Sequence, residues 1–294
     1  MTDTARITAS YGRRYTVRTA DGRSYDATTR KKRVDYACGD FVHIQIQNAE
    51  QAVITGYLPR TSLLYRQDAW RTKLIAANTG QMFVVTAAVP SPNEILLQRA
   101  LLAAEAAGIA AFVVLNKTDL PESASLRGKL AFYAALGYPV IETCAAENAA
   151  ALLPAMRGHT NIFLGQSGMG KSTLTNALLG RDAARTGGIS AALDSGRHTT
   201  THAQLYDLGS DTFLIDSPGL QEFGLHHLDP AALLHHFPDL RHLAGQCRFH
   251  NCTHRREPGC AVKQAAESGT VSPQRTAFLQ RITDELAAAR RQAV

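Results

Sequence analysis

The chain has 294 residues, of which 45% are hydrophobic and 19% charged, enough apolar material to bury a substantial core and too much for global disorder. No run approaches the roughly 18 to 20 uninterrupted apolar residues of a membrane span, and the start Met1-Thr-Asp-Thr-Ala-Arg lacks the basic-then-apolar layout of a secretory signal, so a soluble cytoplasmic protein is expected. The net charge of +6 gathers at the two ends (13 Lys and Arg against 7 Asp and Glu in residues 1–73, 9 against 14 in 74–240, 9 against 4 in 241–294), a layout suited to a polyanionic partner.

The first seventy or so residues read as β-structure. Tyr15–Thr19 and residues 23–26 flank Ala20-Asp21-Gly22, a hairpin signal, and Val42, Ile44 and Ile46 alternate with His43, Gln45 and Gln47 as a half-buried strand requires. Several short strands in so short a stretch predict a small barrel, with Arg30-Lys31-Lys32-Arg33 as a basic loop. From Met82 the pattern changes. Apolar runs at 82–89, 109–115 and 162–164 have the continuous character of parallel strands covered on both faces, and helical stretches lie between them, as at 94–107 with Leu96, Ala100, Ala103 and Ala107 on one side. This predicts a doubly wound sheet. After residue 241 come a Cys/His cluster, the N-cap pair Ser272-Pro273 and a helix carrying Phe278, Ile282 and Leu286. The expected organisation is multidomain: a barrel over 1–73, an α/β domain over 74–226 and an α-rich metal-binding domain over 227–294.

Gly165-Gln166-Ser167-Gly168-Met169-Gly170-Lys171-Ser172 fits G-x-x-x-x-G-K-[ST] and falls between an expected strand and a helix opening at Thr173, where a phosphate loop works. Its glycines let backbone N–H groups turn inward around phosphate oxygens, and the helix start adds about half a positive charge. Lys171 is expected at the β and γ phosphates and Ser172 on magnesium.

Asn116-Lys117-Thr118-Asp119 closes the apolar run 109–115. The Asp119 carboxylate can accept two hydrogen bonds from the N1–H and 2-amino edge of guanine; adenine has no such paired donors, a mismatch of about 1 to 3 kcal/mol. Thr143-Cys144-Ala145, after the strand expected at Val140–Glu142, is placed to support the base with a backbone N–H. Asp216-Ser-Pro-Gly219 supplies a carboxylate for magnesium and, at Gly219, an N–H for the γ phosphate. Gly196-Arg-His-Thr-Thr-Thr201 offers hydroxyls, Thr200 among them, for the second magnesium contact.

The order of these motifs is rotated. Ras-like GTPases place the phosphate loop first and the guanine motif last, whereas here 116–119 precedes 165–172, which precedes 216–219. Such permutation keeps the spatial order of a sheet while moving its termini. It also sends the segment around Asp216 straight into the C-terminal region.

Cys247-x4-Cys252-x-His254-x5-Cys260 offers three thiolates and an imidazole, a closed set for one structural zinc, with His250 as a rival for the histidine place. Cys38 and Cys144 read as buried thiols. Arg248, Arg255 and Arg256 surround the cluster and can meet phosphates.

Over its whole length the chain resembles the circularly permuted RsgA (YjeQ) family, the small-subunit-dependent GTPases, in the rotated motifs, the basic N-terminal barrel and the Cys/His spacing. The resemblance implies an OB-fold at the N-terminus, GTP and GDP with magnesium as ligands, the small ribosomal subunit and its rRNA as partners, a late role in maturation of that subunit and turnover stimulated by it. It also implies zinc on Cys247, Cys252, His254 and Cys260 rather than His250. Leu220 stands where Ras-like enzymes carry a water-orienting glutamine, so slow intrinsic turnover is expected. The family looks to the histidine equivalent to His198 for the missing function, so His198 is the expected water-positioning residue. A monomer suits a factor that docks on a large partner. Two other classes stay open: a GTP-gated RNA-binding scaffold with negligible hydrolysis, favoured by Leu220, and a phosphate-loop kinase, opposed by the guanine motif.

Overall fold

Residues 3–29, 36–67, 72–145, 147–186, 202–218 and 223–292 are described by a computed structural model. The N-terminal alternation folds as β1 (Asp3–Ser10), β2 (Tyr15–Thr19), β3 (Ser24–Thr29), β4 (Phe41–Ile46) and β5 (Gln51–Tyr57). Antiparallel β1–β2, β2–β3 and β4–β5 ladders, a parallel β3–β5 pairing and an antiparallel β1–β4 pairing close a five-stranded barrel. Ile7, Val17, Tyr25, Val42, Ile44 and Ile54 fill it. Ile46 departs from the expected alternation: as the last residue of β4 it sits at the rim, exposed. The basic run 30–33 lies outside the described residues.

Two strands that the sequence reading did not separate, β6 (Leu63–Gln67) and β7 (Thr72–Ala77), form a hairpin of their own. The apolar runs then become β8 (Gln81–Thr86), β9 (Ala110–Leu115), β10 (Val140–Glu142) and β11 (Thr160–Leu164), followed by β12 (Ala203–Asp207) and β13 (Phe213–Asp216). They lie in the order β10-β9-β8-β11-β13-β12, parallel except for β12. Every residue of β8 is buried, because helices cover both faces.

Alternate β-residues feed the two cores. Met82, Val84, Ile162 and Leu164 pack with α1 (Glu94–Ala107) and α2 (Ser123–Ala135), while Phe83, Val85, Phe163 and Leu214 pack with α3 (Leu153–Met156) and α4 (Lys171–Thr186). Asn93 caps α1, its side chain accepting from the Leu96 N–H, and Gly108 ends it at φ 65°.

The C-terminal region is two 3-10 turns, Pro230–His236 and Arg241–Leu243, then α5 (Ala261–Glu267) and α6 (Pro273–Gln292). Phe278, Ile282 and Leu286 of α6 join the α1 side of the core, as their spacing predicts. Buried Arg275 donates to both carboxylate oxygens of Asp239, and Arg99 of α1 pairs with Glu285 of α6. No described helix is long and apolar enough to cross a membrane.

The barrel and the α/β sheet are joined. β1 pairs with β12 (Ala9 with Gln204, Ser10 with Ala203), giving one sheet of 11 strands. The Arg6 guanidinium lies 5.1 Å from the Phe41 ring and 4.5 Å from the Phe213 ring and donates to Thr160 Oγ1 at 2.6 Å.

Candidate nucleotide and metal sites

The carboxyl ends of β8, β9, β11 and β13 converge, and the loops that leave them carry the motifs. After β11 the chain turns through Gly165 at φ 145°, Gly168 at φ 83° and Gly170 at φ 92°. At two of these only glycine fits: a Cβ on Gly165 would stand 2.2 Å from Val85 O, and one on Gly170 would stand 2.3 Å from Asn116 Nδ2. Met169 is anchored in the core, Ser167 and Gly168 are exposed, and Gln166 Oε1 accepts from Asn93 N at 2.9 Å.

Lys171 opens α4 and is only 6% exposed. Its Nζ donates to Gly165 O at 2.9 Å and Gln166 O at 3.0 Å, so the ammonium is folded into the loop. Burial pushes its pKa down, opposed by the charge of Asp216. A buried cation at a helix N-terminus, inside a loop with no room for Cβ atoms, fits a phosphate chain. Ser172 is half-buried and Thr173 exposed on the first turn. Asp216 is buried at the end of β13, in register with Phe163, and the next residue, Ser217, donates to Phe163 O at 2.9 Å.

The guanine motif is built onto this loop. Asn116, 1% exposed, donates from Nδ2 to Met169 O at 2.8 Å, and Lys117, at φ 59°, donates from Nζ to Val89 O and Gly168 O, both at 2.8 Å. The buried Asn116 Oδ1 has no protein partner among the described residues. Thr118 N donates to Thr143 O at 3.4 Å, which ties the motif to the next loop. There Cys144 is buried, its carbonyl accepting from Glu147 N and Asn148 N, and Ala145 is half-buried. Asp119 is exposed. His198, Thr200, Gly219 and Leu220 lie outside the described residues.

At the C-terminal cluster the ligand atoms of Cys247, Cys252, His254 and Cys260 lie within 4.8 Å of one another. Zinc bonds of about 2.3 Å to sulfur and 2.0 Å to nitrogen in a tetrahedron require edges of about 3.8 Å between sulfurs and 3.5 Å from sulfur to nitrogen. The edges found are 4.0 Å for Cys247 to Cys260, and 3.6 and 3.5 Å from those sulfurs to His254 Nδ1. The donor set fits a zinc ion. Burial lowers the His254 pKa, favouring the neutral imidazole a metal takes, and raises the Cys252 thiol to about 12. His250 is exposed and outside the group. Glu257 binds the loop together, accepting from Thr253 Oγ1, Thr253 N, Arg255 N and Arg256 N.

Sequence reasoning missed Arg6, and it missed the Arg99–Glu285 pair. Arg99 carried a signal, as the only basic residue of the Leu- and Ala-rich helix α1. Arg6 carried none, since its partners lie more than 30 residues away.

A phosphate loop, a guanine motif and D-S-P on one sheet edge, in rotated order behind a barrel, define a circularly permuted phosphate-loop GTPase. The RsgA GTPase family model matches residues 57–226. Proteins named small ribosomal subunit biogenesis GTPase RsgA are 73% identical in Neisseria meningitidis serogroup B (286 residues, 97% of this chain, 93% of the relative) and 45% identical in Nitrosomonas europaea (287 residues, 96% and 91%). Among solved structures, YjeQ from Thermotoga maritima superposes with TM-score 0.73 at 25% identity, covering 98% of this chain and 99% of that one. YloQ, described as a circularly permuted GTPase, does so with TM-score 0.70 at 25% identity, over 98% and 96%. The chain belongs to the RsgA GTPase family and is a GTP hydrolase.

Proposed function

We propose that this GTPase docks on the small ribosomal subunit, contacts its rRNA, acts late in its maturation as a cytoplasmic monomer, and hydrolyses GTP faster when docked. The observation that carries the nucleotide reading is the pair of side chains Asn116 and Lys117 holding the carbonyls of Met169 and Gly168. These bonds hold the base-reading loop against the phosphate loop, which supports a single nucleotide binding across both. The names of the Neisseria and Nitrosomonas relatives support the choice of subunit.

In this reading Asp119 accepts from the guanine edge, with Thr118, Cys144 and Ala145 beside the base. Residues 165–170 would present N–H groups to the phosphates, Lys171 would move from its two carbonyls onto the β and γ oxygens, and Ser172, Thr200 and Asp216 would hold magnesium. When bound, magnesium supplies charge neutralisation on the phosphates. Gly219 senses the γ phosphate, and His198 orients the attacking water. Zinc on the Cys/His set holds the fold of domain 227–294, while domain 1–73 and the arginines around the cluster meet RNA.

GTP turnover measured with and without purified small subunits, and again with excess ATP, tests this. Turnover that rises with subunits and ignores ATP is expected; turnover that stays flat would favour the GTP-gated scaffold. Loss of stimulation in His198→Ala with unchanged GTP affinity is the outcome expected of a water-orienting residue.

A further inference from the structure

Beside the D-S-P segment, between the barrel and the α/β sheet, lies a cleft of about 610 Å³ to which the GTPase reading assigns no ligand. Tyr11 and Tyr36 of the barrel form one side, Arg66 and Lys73 of the β6–β7 hairpin another, and His202 and Ser217 reach it from the α/β sheet. No carboxylate lines it among the described residues. The volume falls in the range of about 300 to 1,000 Å³ common for small-ligand sites.

Its chemistry is aromatic faces beside cations. Tyr11 is 53% exposed, and its ring is braced by a tilted contact with the His202 imidazole, centroids 4.3 Å apart at 45°. Tyr36 packs edge-on between Tyr15 and Tyr57, at 5.8 and 6.0 Å, so that aromatic rings run from the cleft to the barrel surface. There Tyr57 is exposed and carries the Arg60 guanidinium 4.7 Å from its ring. Exposed aromatic rings with a cationic flank are the features that bind single-stranded nucleic acid, a base stacking on a ring and the backbone following the charge.

We propose that this cleft takes an unpaired RNA nucleotide, its base against Tyr11 and its phosphate beside Lys73, an inference that rests on the RNA partner proposed above. The location gives it a consequence. His202 leads into β12, and Ser217 follows Asp216, so an inserted base touches residues next to both stretches expected to hold magnesium and the γ phosphate. RNA in the cleft would therefore act on the nucleotide site.

The probe is a fluorescein-labelled ten-nucleotide oligouridylate, read by anisotropy at low salt. Tyr11→Leu is expected to weaken binding by about 5- to 150-fold, the range of one lost base stack, and Tyr11→Phe to bind like wild type. Lys73→Gln should lower the slope of log affinity against log salt by about 0.7. Melting temperature and GTP affinity, measured for each variant, guard against misfolding. A second readout needs no variant: a 4-thiouridine oligonucleotide should crosslink to Tyr11 or Tyr36. Absence of oligouridylate binding by wild type, equal binding by Tyr11→Leu, a Tyr11→Phe defect as large as that of Tyr11→Leu, or crosslinks only elsewhere would overturn the proposal. Subunit-stimulated turnover is scored separately, so normal stimulation with no crosslink in the cleft removes this site and leaves the proposed function standing.

Discussion

Replacing Gly170 by Ala, alone and with Asn116→Ala, tests whether the base motif and the phosphate loop are one unit. Gly170 sits at φ 92°, and a Cβ there would stand 2.3 Å from Asn116 Nδ2. Two costs arise in G170A. An L-residue held in that conformation costs about 1 to 3 kcal/mol. Displacing the Asn116 amide removes its 2.8 Å bond to Met169 O and leaves a buried carbonyl unpaired, costing about 1 to 3 kcal/mol more. Both fall on the loop shape the nucleotide needs, so GTP affinity should drop by at least about 30-fold. N116A loses only the bond, about 5- to 150-fold. In the double variant the Cβ has room and the same bond is lost once, so the combined cost should fall short of the sum by about 1 to 3 kcal/mol. Titration with a fluorescent guanine nucleotide measures the cycle. Costs that add to within about 0.5 kcal/mol would refute the shared contact.

Asp119→Asn exchanges one acceptor for a donor, so GTP affinity should fall by about 5- to 150-fold while the 2-oxo base xanthine gains; an unchanged base preference would remove Asp119 from base recognition. His254→Ala should lose the single zinc measured by elemental analysis and His250→Ala should keep it, and equal zinc in the two would break the assignment. Burial alone would raise the Glu285 carboxyl, but the hydrogen bonds and charge of Arg99 together with His226 outweigh it and hold the group below its ordinary value. A depressed folded pKa gives stability that is present above the unfolded value, about 4.3, and lost as pH falls through the folded one. Glu285→Gln should therefore be less stable than wild type by about 1 to 3 kcal/mol at pH 7 and converge with it in acid; a gap independent of pH would contradict this.

What the sequence made legible was whatever is written in local spacing. Phosphate loop, guanine motif and D-S-P each need their residues within a few positions, and the strands that carry them are continuous apolar runs, so their place at one sheet edge could be read. The barrel was legible as alternation. The contacts that assemble these parts were not, because they join residues with no common period: Asn116 with Met169, Arg6 with Thr160, Arg99 with Glu285. The choice of His254 over His250 could not be read from spacing either. The fold makes it, placing His254 Nδ1 within 3.6 Å of two of the sulfurs while His250 stays exposed.

The rotated order acquires a physical meaning from these long-range contacts. In this chain the residues on both sides of the Asp216 stretch are fixed to other units. Upstream, β12 is paired with β1 of the barrel, and the His202 ring contacts the Tyr11 ring at a tilt, centroids 4.3 Å apart. Downstream, Phe223 O accepts from Arg99, Gly224 O from Gln67 N, and His226 Nε2 lies 3.3 Å from Glu285 Oε1 of α6. The described residues that follow, 223–226, are thus held by α1, β6 and α6. The Asp216 strand end lies between two hydrogen-bonded stretches, 203–207 upstream and 223–226 downstream. Perturbing the barrel or the C-terminal helix is therefore expected to alter GTP affinity, and an affinity unchanged by Arg99→Ala would contradict a coupling along these bonds.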